Sequence, residues 1–366
     1  MGDIDGRTPE RFHRCHLYNE PACRKSTAAR RHPRPFNPTR GIRGIHLPSP
    51  LAGVSTLLLV ARQVLGDNCQ TMDFLHGPTN GPTRLRELLA APGVITAPGC
   101  YDALSARLVE EAGFDCAYMT GFGTAAGLLG RPDVGLLTFS EMVDNVRRIT
   151  QAIGIPLIAD MDTGYGNQMN VIRSVQLYEQ TGVAGFHLED QVTPKKCGHM
   201  ENKQVITAGE ATAKIRAAVR ARTNPDTVII ARTDARAMEG LRAAIDRAKA
   251  FRDAGADVLF VEALQGEGEI EQVAEELRGE TLFFNWAEGG KTPPLPIERI
   301  RELGFKIVIC PITTMLTATA AMRAALAEIR VAGTPLPLID RLLGFAEFTS
   351  FIGLAEITAL EHDLAE

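Results

Sequence analysis

From about residue 80 onward, short apolar runs alternate with longer amphipathic stretches. Each run has the length of a strand and is hydrophobic throughout, which is typical of parallel strands buried on both faces. Several amphipathic stretches, such as 101–113 and 239–255, end at a glycine, a common helix stop. The eight runs are 94–99, 116–121, 156–162, 185–190, 228–235, 257–263, 281–286 and 306–311.

Eight strands that alternate with helices predict an α/β chain folded as a (β/α)8 barrel, which we place at residues 72–335. A doubly wound sheet is the alternative, and the stretch GFGTAAG at 121–127 has the composition of a dinucleotide loop. Its spacing is GxGxxxG, however, and it follows the second predicted strand instead of the first. We therefore expect these glycines to let the backbone approach a small ligand.

The sequence changes character on both sides of the predicted barrel. Residues 336–366 form an apolar helical segment with no strand to cover, which predicts packing against a partner subunit in a homodimer or homotetramer. Residues 1–71 are rich in Arg, Pro and His, which predicts disorder. A transit peptide is one alternative, and a non-native extension upstream of a true start at Met72 is another.

Charge and cysteine content exclude several classes of partner. Residues 1–71 hold 11 Lys/Arg against 5 Asp/Glu, whereas the whole chain holds 39 against 44, so the barrel is acidic. An acidic barrel argues against nucleic acid and suits a divalent cation. Seven cysteines without a CxxC pair indicate a reducing, cytoplasmic setting. No apolar run reaches the roughly 18 residues of a membrane span.

Polar side chains follow six of the predicted strands at their carboxyl ends. In a (β/α)8 barrel these ends meet at one mouth, where active sites lie. Folding alone would not place so many polar groups there, so the pattern predicts an active site. The residues are Thr120, Gly121, Asp160, Asp162, Glu189, Asp190, Arg232, Asp234, Glu262 and Asn285.

The acids in this set predict a metal site. Asp160 and Asp162 are alternate residues at the end of the third strand, so we expect their side chains to point the same way. With Glu189, Glu262 and Asp133 they form an oxygen-rich set, which favours Mg²⁺, with Mn²⁺ as the alternative ion. The alternatives are helix capping, ion pairs with an arginine, and glycoside chemistry by paired carboxylates.

The loop after the fourth strand places a thiol among cationic groups. Lys195 and Lys196 precede Cys197, and His199 follows Gly198. We expect the positive neighbours to favour the thiolate. The pattern predicts a mobile loop that closes over the metal site and delivers Cys197 as a proton donor. A zinc-binding pair of cysteine and histidine, or a solvated basic loop with an incidental cysteine, are the alternatives.

Four stretches together resemble the isocitrate lyase/phosphoenolpyruvate mutase superfamily over about residues 83–335. They are ADMDTGYGN, HLEDQVTPKKCGH, ARTDA and NWAEGGKTP, and KKCGH is similar to the lyase signature. The resemblance implies a Mg²⁺-dependent barrel that acts on 2-hydroxy or 2-oxo carboxylates. It also implies dimers or tetramers that exchange their last helix.

The resemblance implies a role for each matching residue. Asp160 and Asp162 would hold the metal, with Asp133 near it and Glu189 and Glu262 helping through water. Cys197 would be the catalytic acid/base, and Lys195, His199 and Glu189 would complete the catalytic set. The substrate carboxylates would bind Thr120, Gly121, Phe122, Gly198, Arg232, His199 and Asn285.

The expected activity is cleavage of a carbon–carbon bond in a 2-hydroxy di- or tricarboxylate of the 2-methylisocitrate or 2,3-dimethylmalate type. The products would be a 2-oxo acid and a carboxylate. Oxaloacetate decarboxylation or hydrolysis, carboxyphosphonoenolpyruvate mutase chemistry, and a barrel that only binds are the alternatives. Thr120 stands where several relatives have serine, and Trp286, Gly289 and Gly290 differ from methylisocitrate lyases, so the exact substrate stays open.

Overall fold

The computed structural model describes residues 80–365, so the predictions made for residues 1–71 lie outside the described residues. Eight parallel strands close into a barrel in chain order, with the last strand hydrogen-bonded to the first. The predicted (β/α)8 barrel is confirmed, and the doubly wound alternative is wrong. The strands are β1 (Ile95–Cys100), β2 (Ala117–Met119), β3 (Leu157–Asp160), β4 (Gly185–Glu189), β5 (Val228–Thr233), β6 (Val258–Val261), β7 (Leu282–Asn285) and β8 (Phe305–Cys310).

Every predicted run contains one strand, but several strands end before the run does. Asp162 and Ala263 show the physical reason, since both have positive φ angles, of 46° and 59°. A left-handed backbone cannot continue the ladder of a strand. The chain therefore leaves the sheet where the polar residues of the mouth begin.

Helices connect consecutive strands, and the GFGTAAG stretch begins one of them. Thr120 caps that helix, with its Oγ1 accepting a hydrogen bond of 3.3 Å from the Gly123 N–H. The α-helices are α1 (Gly81–Ala90), α2 (Ala103–Glu111), α3 (Gly121–Leu129), α4 (Phe139–Thr150), α5 (Gln168–Glu179), α6 (Ala208–Ala221), α7 (Arg236–Glu239), α8 (Leu241–Asp253), α9 (Glu267–Glu276), α10 (Ile297–Glu302), α11 (Thr313–Ala332), α12 (Phe345–Phe351) and α13 (Leu354–Asp363).

The core has two layers, one inside the barrel and one between the strands and the helices. Strand β5 contributes to both, because Val228 and Ile230 belong to the inner cluster whereas Ile229 and Ala231 belong to the outer one. Alternate residues of a strand face opposite sides, so a fully buried strand needs apolar residues on both. Leu85 of α1 also belongs to the inner cluster and closes the barrel at its amino-terminal end.

The C-terminal helices cover little of the barrel. None of the residues in α11, α12 or α13 is buried. Large apolar side chains are exposed on this segment, including Val331 at 90% and Phe345 at 83%. The predicted packing against a partner subunit fits this exposure and stays a prediction. Within the part of the chain that is described, no helix is both long enough and apolar enough to cross a membrane.

Candidate active site

The polar residues at the ends of β3 to β7 meet at the mouth of the barrel, where those of β3 to β6 are buried and Asn285 of β7 is half-buried. Arg232 links the strands, because its Nη1 lies 3.3 Å from Glu189 Oε2 and its Nη2 lies 3.4 Å from Glu262 Oε2. Lys195 links the loops, because its Nζ lies 2.7 Å from Asp162 Oδ1 and 2.8 Å from Asp133 Oδ2. The structure thus brings the predicted acids and cations into one site.

Asp160 and Asp162 lie together, but not for the reason that the sequence indicated. β3 ends at Asp160, and Asp162 lies beyond it in the left-handed region. The prediction that both carboxylates extend from one strand was therefore wrong. A turn joins them instead, in which the Asp162 N–H donates to Asp160 Oδ1 at 2.8 Å. The Tyr165 hydroxyl donates to Asp162 Oδ2 at 3.1 Å and fixes the second carboxylate.

Asp160, His187 and Glu189 form a candidate metal site, since one ligand atom of each lies within 4.8 Å of the others. Both carboxylate oxygens of Glu189 and Nδ1 of His187 lack a hydrogen-bond partner among the described residues. Leaving buried acceptors without a donor is costly, and a bound cation would satisfy them. The carboxylate-rich donor set fits Mg²⁺ or Mn²⁺.

His187 is the residue of this site that the sequence reasoning missed. Its Nε2 lies 2.8 Å from the Tyr118 hydroxyl, and its Nδ1 lies 3.6 Å from Asp160 Oδ1. Burial lowers the pKa of His187 to about 4, so the imidazole is neutral at pH 7. A usable signal was present, because His187 and Glu189 alternate on β4 and so share a face.

Lys195 lies on the acidic side of the mouth, between two aspartates. The pKa of Asp162 is raised to about 6, chiefly by burial and also by the negative charges of Asp160 and Asp133, against the opposing effect of Lys195. The predicted place of Lys195 in the catalytic set stays a prediction. Asp133 also holds the loop, because its carbonyl oxygen accepts a hydrogen bond of 3.1 Å from the Cys197 N–H.

Arg232 is held by a carboxylate outside the acidic set. Its Nε and Nη2 donate to Asp234 at 2.9 and 3.1 Å, and its guanidinium lies 5.2 Å from the centre of the Phe260 ring. A two-point contact of this kind fixes the plane of the guanidinium. Nη1 faces Glu189, and Nη2 also faces Glu262. The predicted contact of Arg232 with a substrate carboxylate stays a prediction.

His199 and Asn285 meet at Glu262, on the opposite side of the mouth from Lys195's aspartates. The backbone N–H of Lys291 donates to His199 Nδ1 at 3.0 Å, so Nε2, 3.2 Å from Glu262 Oε1, is the ring nitrogen that donates. Asn285 Nδ2 donates to Glu262 Oε2 at 3.1 Å. Burial opposes ionisation of Glu262, but Arg232 and His199 outweigh it and hold its pKa well below the usual range.

The loop that carries Cys197 lies closed over the mouth. Gly198 packs so tightly against Arg232 and Glu262 that an added Cβ would collide with both side chains, and Gly121 packs in the same way against Asp160. Only glycine permits these approaches. Thr120 caps the helix beside them, and Phe122 lies in its first turn. The predicted contacts of Thr120, Gly121, Phe122 and Gly198 with a substrate carboxylate stay predictions.

The acidity predicted for Cys197 was wrong. Burial raises the pKa of its thiol to about 11, so the side chain is protonated near neutral pH. The expected positive neighbours are engaged elsewhere, since Lys195 pairs with two aspartates and Lys196 Nζ donates to the Asn202 carbonyl at 3.0 Å. A protonated thiol is the form that a proton donor requires.

The alternative of a solvated basic loop is wrong, because Lys195 is 5% exposed. The alternative of a zinc-binding pair stays untested. In the structure, His199 Nδ1 accepts from the Lys291 N–H and Nε2 lies 3.2 Å from Glu262 Oε1.

Comparison with known proteins places these features in a family. Residues 85–330 match the family model described as phosphoenolpyruvate phosphomutase. The chain is 44% identical to 2,3-dimethylmalate lyase of Eubacterium barkeri over 78% of this chain and 99% of that protein. It is 43% identical to a probable 2-methylisocitrate lyase of Corynebacterium glutamicum over 74% of this chain and 88% of the relative. A solved structure of oxaloacetate acetylhydrolase with 3,3-difluorooxalacetate has 38% identity and a TM-score of 0.74, covering 79% of this chain and 98% of that one.

Proposed function

The chain belongs to the phosphoenolpyruvate mutase/isocitrate lyase superfamily and is a carbon–carbon lyase of it, and we propose that its substrate is a 2-hydroxy dicarboxylate of the 2,3-dimethylmalate type or the related tricarboxylate 2-methylisocitrate. Cys197 is the proton donor in this proposal. The observation that carries it is the closed loop, which ties Cys197 to Asp133 and seats Gly198 on Arg232 and Glu262.

Asp160 and Asp162 would hold the divalent metal, with Glu189 beside them and His187 facing the same space. Bound there, Mg²⁺ would polarise the substrate's 2-hydroxyl and lower the pKa of that group. The oxygens of Glu189 support this assignment, because neither accepts a hydrogen bond among the described residues, although Oε2 lies 3.3 Å from Arg232 Nη1. Mg²⁺ in preference to Mn²⁺ is part of the proposal, since both ions accept such oxygen donors.

Each residue around the substrate has its own role in the proposed reaction. Arg232, held in plane by Asp234, orients a substrate carboxylate, and Glu189 accepts the proton of the 2-hydroxyl. The bond between carbons 2 and 3 breaks as the carbonyl forms at carbon 2, and the electron pair moves onto carbon 3 and its carboxylate. The N–H groups of His199 and Asn285 face Glu262 in the structure, and in this proposal they move from Glu262 to stabilise the anion. The Cys197 thiol then gives its proton to carbon 3.

Oxaloacetate cleavage is the second candidate, supported by the likeness to oxaloacetate acetylhydrolase. Mutase chemistry has less support, because the proton donor Cys197 has no task in moving a phosphoryl group. A homodimer or homotetramer, built through the exposed apolar residues of 313–365, is part of the proposal. The cytoplasmic location stays a prediction.

A product assay tests the proposal. The full chain is incubated with Mg²⁺ and, separately, with 2,3-dimethylmalate, 2-methylisocitrate and oxaloacetate, in D₂O, and products are identified by mass spectrometry. We expect a 2-oxo acid and a carboxylate that carries one new deuterium, from one of the first two substrates. Cleavage of oxaloacetate alone would select the second candidate. No cleavage of any substrate with either Mg²⁺ or Mn²⁺ would overturn the proposal.

A further inference from the structure

We propose that Lys203 is a positioning residue that holds the Cys197–His199 segment in its closed position. The proposal rests on the proposed function only in giving the segment a catalytic thiol to position. Lys203 lies in the stretch ENKQV, past the KKCGH stretch, and is 6% exposed. It touches none of the acids of the candidate metal site among the contacts that the structure shows.

The loop has a fixed base. Gln191 and Val205 form an antiparallel bridge, and the Val192 N–H donates to the Gln204 carbonyl at 2.8 Å. One residue closer to β4, the Ile206 N–H donates to the Asp190 carbonyl at 2.9 Å. These contacts fasten the base of the loop to the end of β4. Lys203 lies two residues from this base, so its own position is fixed by the barrel.

The tip of the loop docks on Lys203. Its Nζ donates to the Gly198 carbonyl oxygen and, at 2.8 Å, to Asp234 Oδ1. The side chains of Lys203 and Asp234 are 1% and 0% exposed, so this contact is shielded from solvent. A buried charge-assisted hydrogen bond is among the stronger single contacts, because losing one partner leaves the other desolvated. The Gly198 carbonyl lies one residue from the Cys197 thiol.

Asp234 connects this contact to the substrate-binding arginine. The same carboxylate that binds Lys203 also accepts two hydrogen bonds from Arg232. Asp234 is itself anchored, because its N–H donates to Asp190 Oδ1 at 2.8 Å. The Asp234 carboxylate therefore fixes the position of the Arg232 guanidinium and, through Lys203, that of the loop tip. Closure of the loop on Lys203 therefore fixes the position of the Cys197 thiol relative to Arg232.

Alkylation of Cys197 tests the proposal without requiring turnover. The full chain in Mg²⁺ is treated with iodoacetamide at one pH, and labelling of the Cys197 peptide is followed by mass spectrometry. Lys203→Met removes the ammonium, and we expect labelling to become about tenfold faster or more, since a charged hydrogen bond is lost. Lys203→Arg keeps a charged donor and should restore most of the protection.

Lys306→Met is the matched control, because Lys306 also donates to backbone carbonyls, those of Ala91 and Gly93, at the opposite end of the barrel. Its labelling rate should equal that of the wild type. Hydrogen exchange over 195–202 provides a second readout that does not depend on thiol acidity, and it should accelerate in Lys203→Met only. Should Lys203→Met fail to fold, Asp234→Asn, which weakens the same contact, replaces it.

Unchanged labelling and unchanged exchange in folded Lys203→Met would overturn the proposal. Equal acceleration in Lys306→Met would do so as well, because it would indicate general destabilisation. Failure of the lyase assay with the wild type is a separate result, since it removes the proposed substrate but leaves the labelling comparison intact. If the wild type is active, Lys203→Met should lower kcat and leave Mg²⁺ affinity unchanged.

Discussion

The two halves of the barrel mouth differ in how fully their buried polar groups are paired. In the acidic half, formed by β3, β4 and Asp133, the Glu189 oxygens and His187 Nδ1 have no hydrogen-bond partner among the described residues. In the cationic half, formed by β5 to β7, Glu262 is matched by Arg232, His199 and Asn285. An unmatched buried acceptor is expensive. We therefore propose that the acidic half binds a cation and that the cationic half binds an anionic substrate.

The KKCGH loop spans both halves. Lys195 pairs with Asp133 and Asp162 in the acidic half, whereas His199 pairs with Glu262 in the cationic half. Cys197 lies midway in the sequence between these two anchors. Under the proposed function, a thiol carried between these two anchors would give its proton to the substrate carbon that lies between the proposed metal ligands and the proposed carboxylate-binding groups. Each half can therefore be tested separately by mutation.

The largest effect should follow from changing the acidic half. Asp160→Asn removes a metal-binding charge, and we expect turnover to fall about 10³-fold or more, because the metal's contribution of several kcal/mol is lost. Mg²⁺ affinity, measured by calorimetry, should fall with it. Treatment with EDTA should give the same loss in the wild type, reversed by added Mg²⁺.

Asp257→Asn is the control for this change. Asp257 is another charged aspartate, paired with Arg86 at 2.9 Å and Arg222 at 2.6 Å, but it lies beside the start of β6 at the other end of the barrel. Its substitution should leave Mg²⁺ affinity unchanged. Full activity of Asp160→Asn in EDTA would show that the acidic half is not a metal site.

Removing the thiol should affect chemistry without affecting either half. Cys197→Ala should lower kcat by about 10²- to 10⁴-fold, the range of a general acid, with Mg²⁺ affinity and KM nearly unchanged. Cys310→Ala is the control, because Cys310 is also partly buried and burial raises its pKa to about 11 as well. Wild-type turnover in Cys197→Ala would remove the thiol from the mechanism.

A change in the cationic half should have a smaller effect and leave the metal in place. Asn285→Ala removes an N–H donor that we propose stabilises the developing anion, so we expect a loss in kcat of about 10²-fold. Asn145→Ala removes another buried amide, which donates to the Tyr101 carbonyl at 3.1 Å, and should not slow turnover comparably. A weaker Mg²⁺ affinity in Asn285→Ala would contradict the proposal that one half binds the metal and the other binds the substrate.

The sequence predicted the barrel well because each strand is apolar on both faces, a pattern that helices and half-exposed strands do not share. It also predicted the positions of Asp160, Glu189, Arg232 and Glu262, since strand ends converge in any such barrel. It did not predict the backbone turn at Asp162, because a left-handed residue leaves no mark in the hydrophobic pattern.

The prediction from the sequence located several side chains correctly but was wrong about their surroundings in the folded protein. Lys195 and Lys196 are adjacent to Cys197 in the chain, yet their charges are directed to Asp162 and to the Asn202 carbonyl. Which neighbour in sequence becomes a neighbour in space depends on tertiary contacts. Burial, which sets the acidity of the thiol, is likewise a property of the folded loop and not of the stretch KKCGH.

The acidity of Cys197 gives a prediction with a defined pH dependence. Because burial raises the thiol pKa to about 11, the thiolate fraction should increase about tenfold per pH unit between pH 7 and 10, and the iodoacetamide labelling rate should follow it. A thiol with an ordinary pKa would level off near pH 8.5. A plateau below pH 8 would mean that the cationic neighbours do lower the pKa after all.

The smallest effect should come from Thr120, at the acidic edge of the mouth. Its hydroxyl caps α3 by accepting from the Gly123 N–H, and serine can do the same, so Thr120→Ser should leave the free energy of unfolding nearly unchanged. Thr120→Ala removes the cap and should cost about 1 kcal/mol in urea denaturation. If serine also costs this much, the methyl group matters instead, and packing of Thr120 Cγ2 beside Gly123 sets the position of the helix. Because that helix begins at Gly121 against Asp160, a shift there would reach the metal-binding acids through the backbone and show as weaker Mg²⁺ binding.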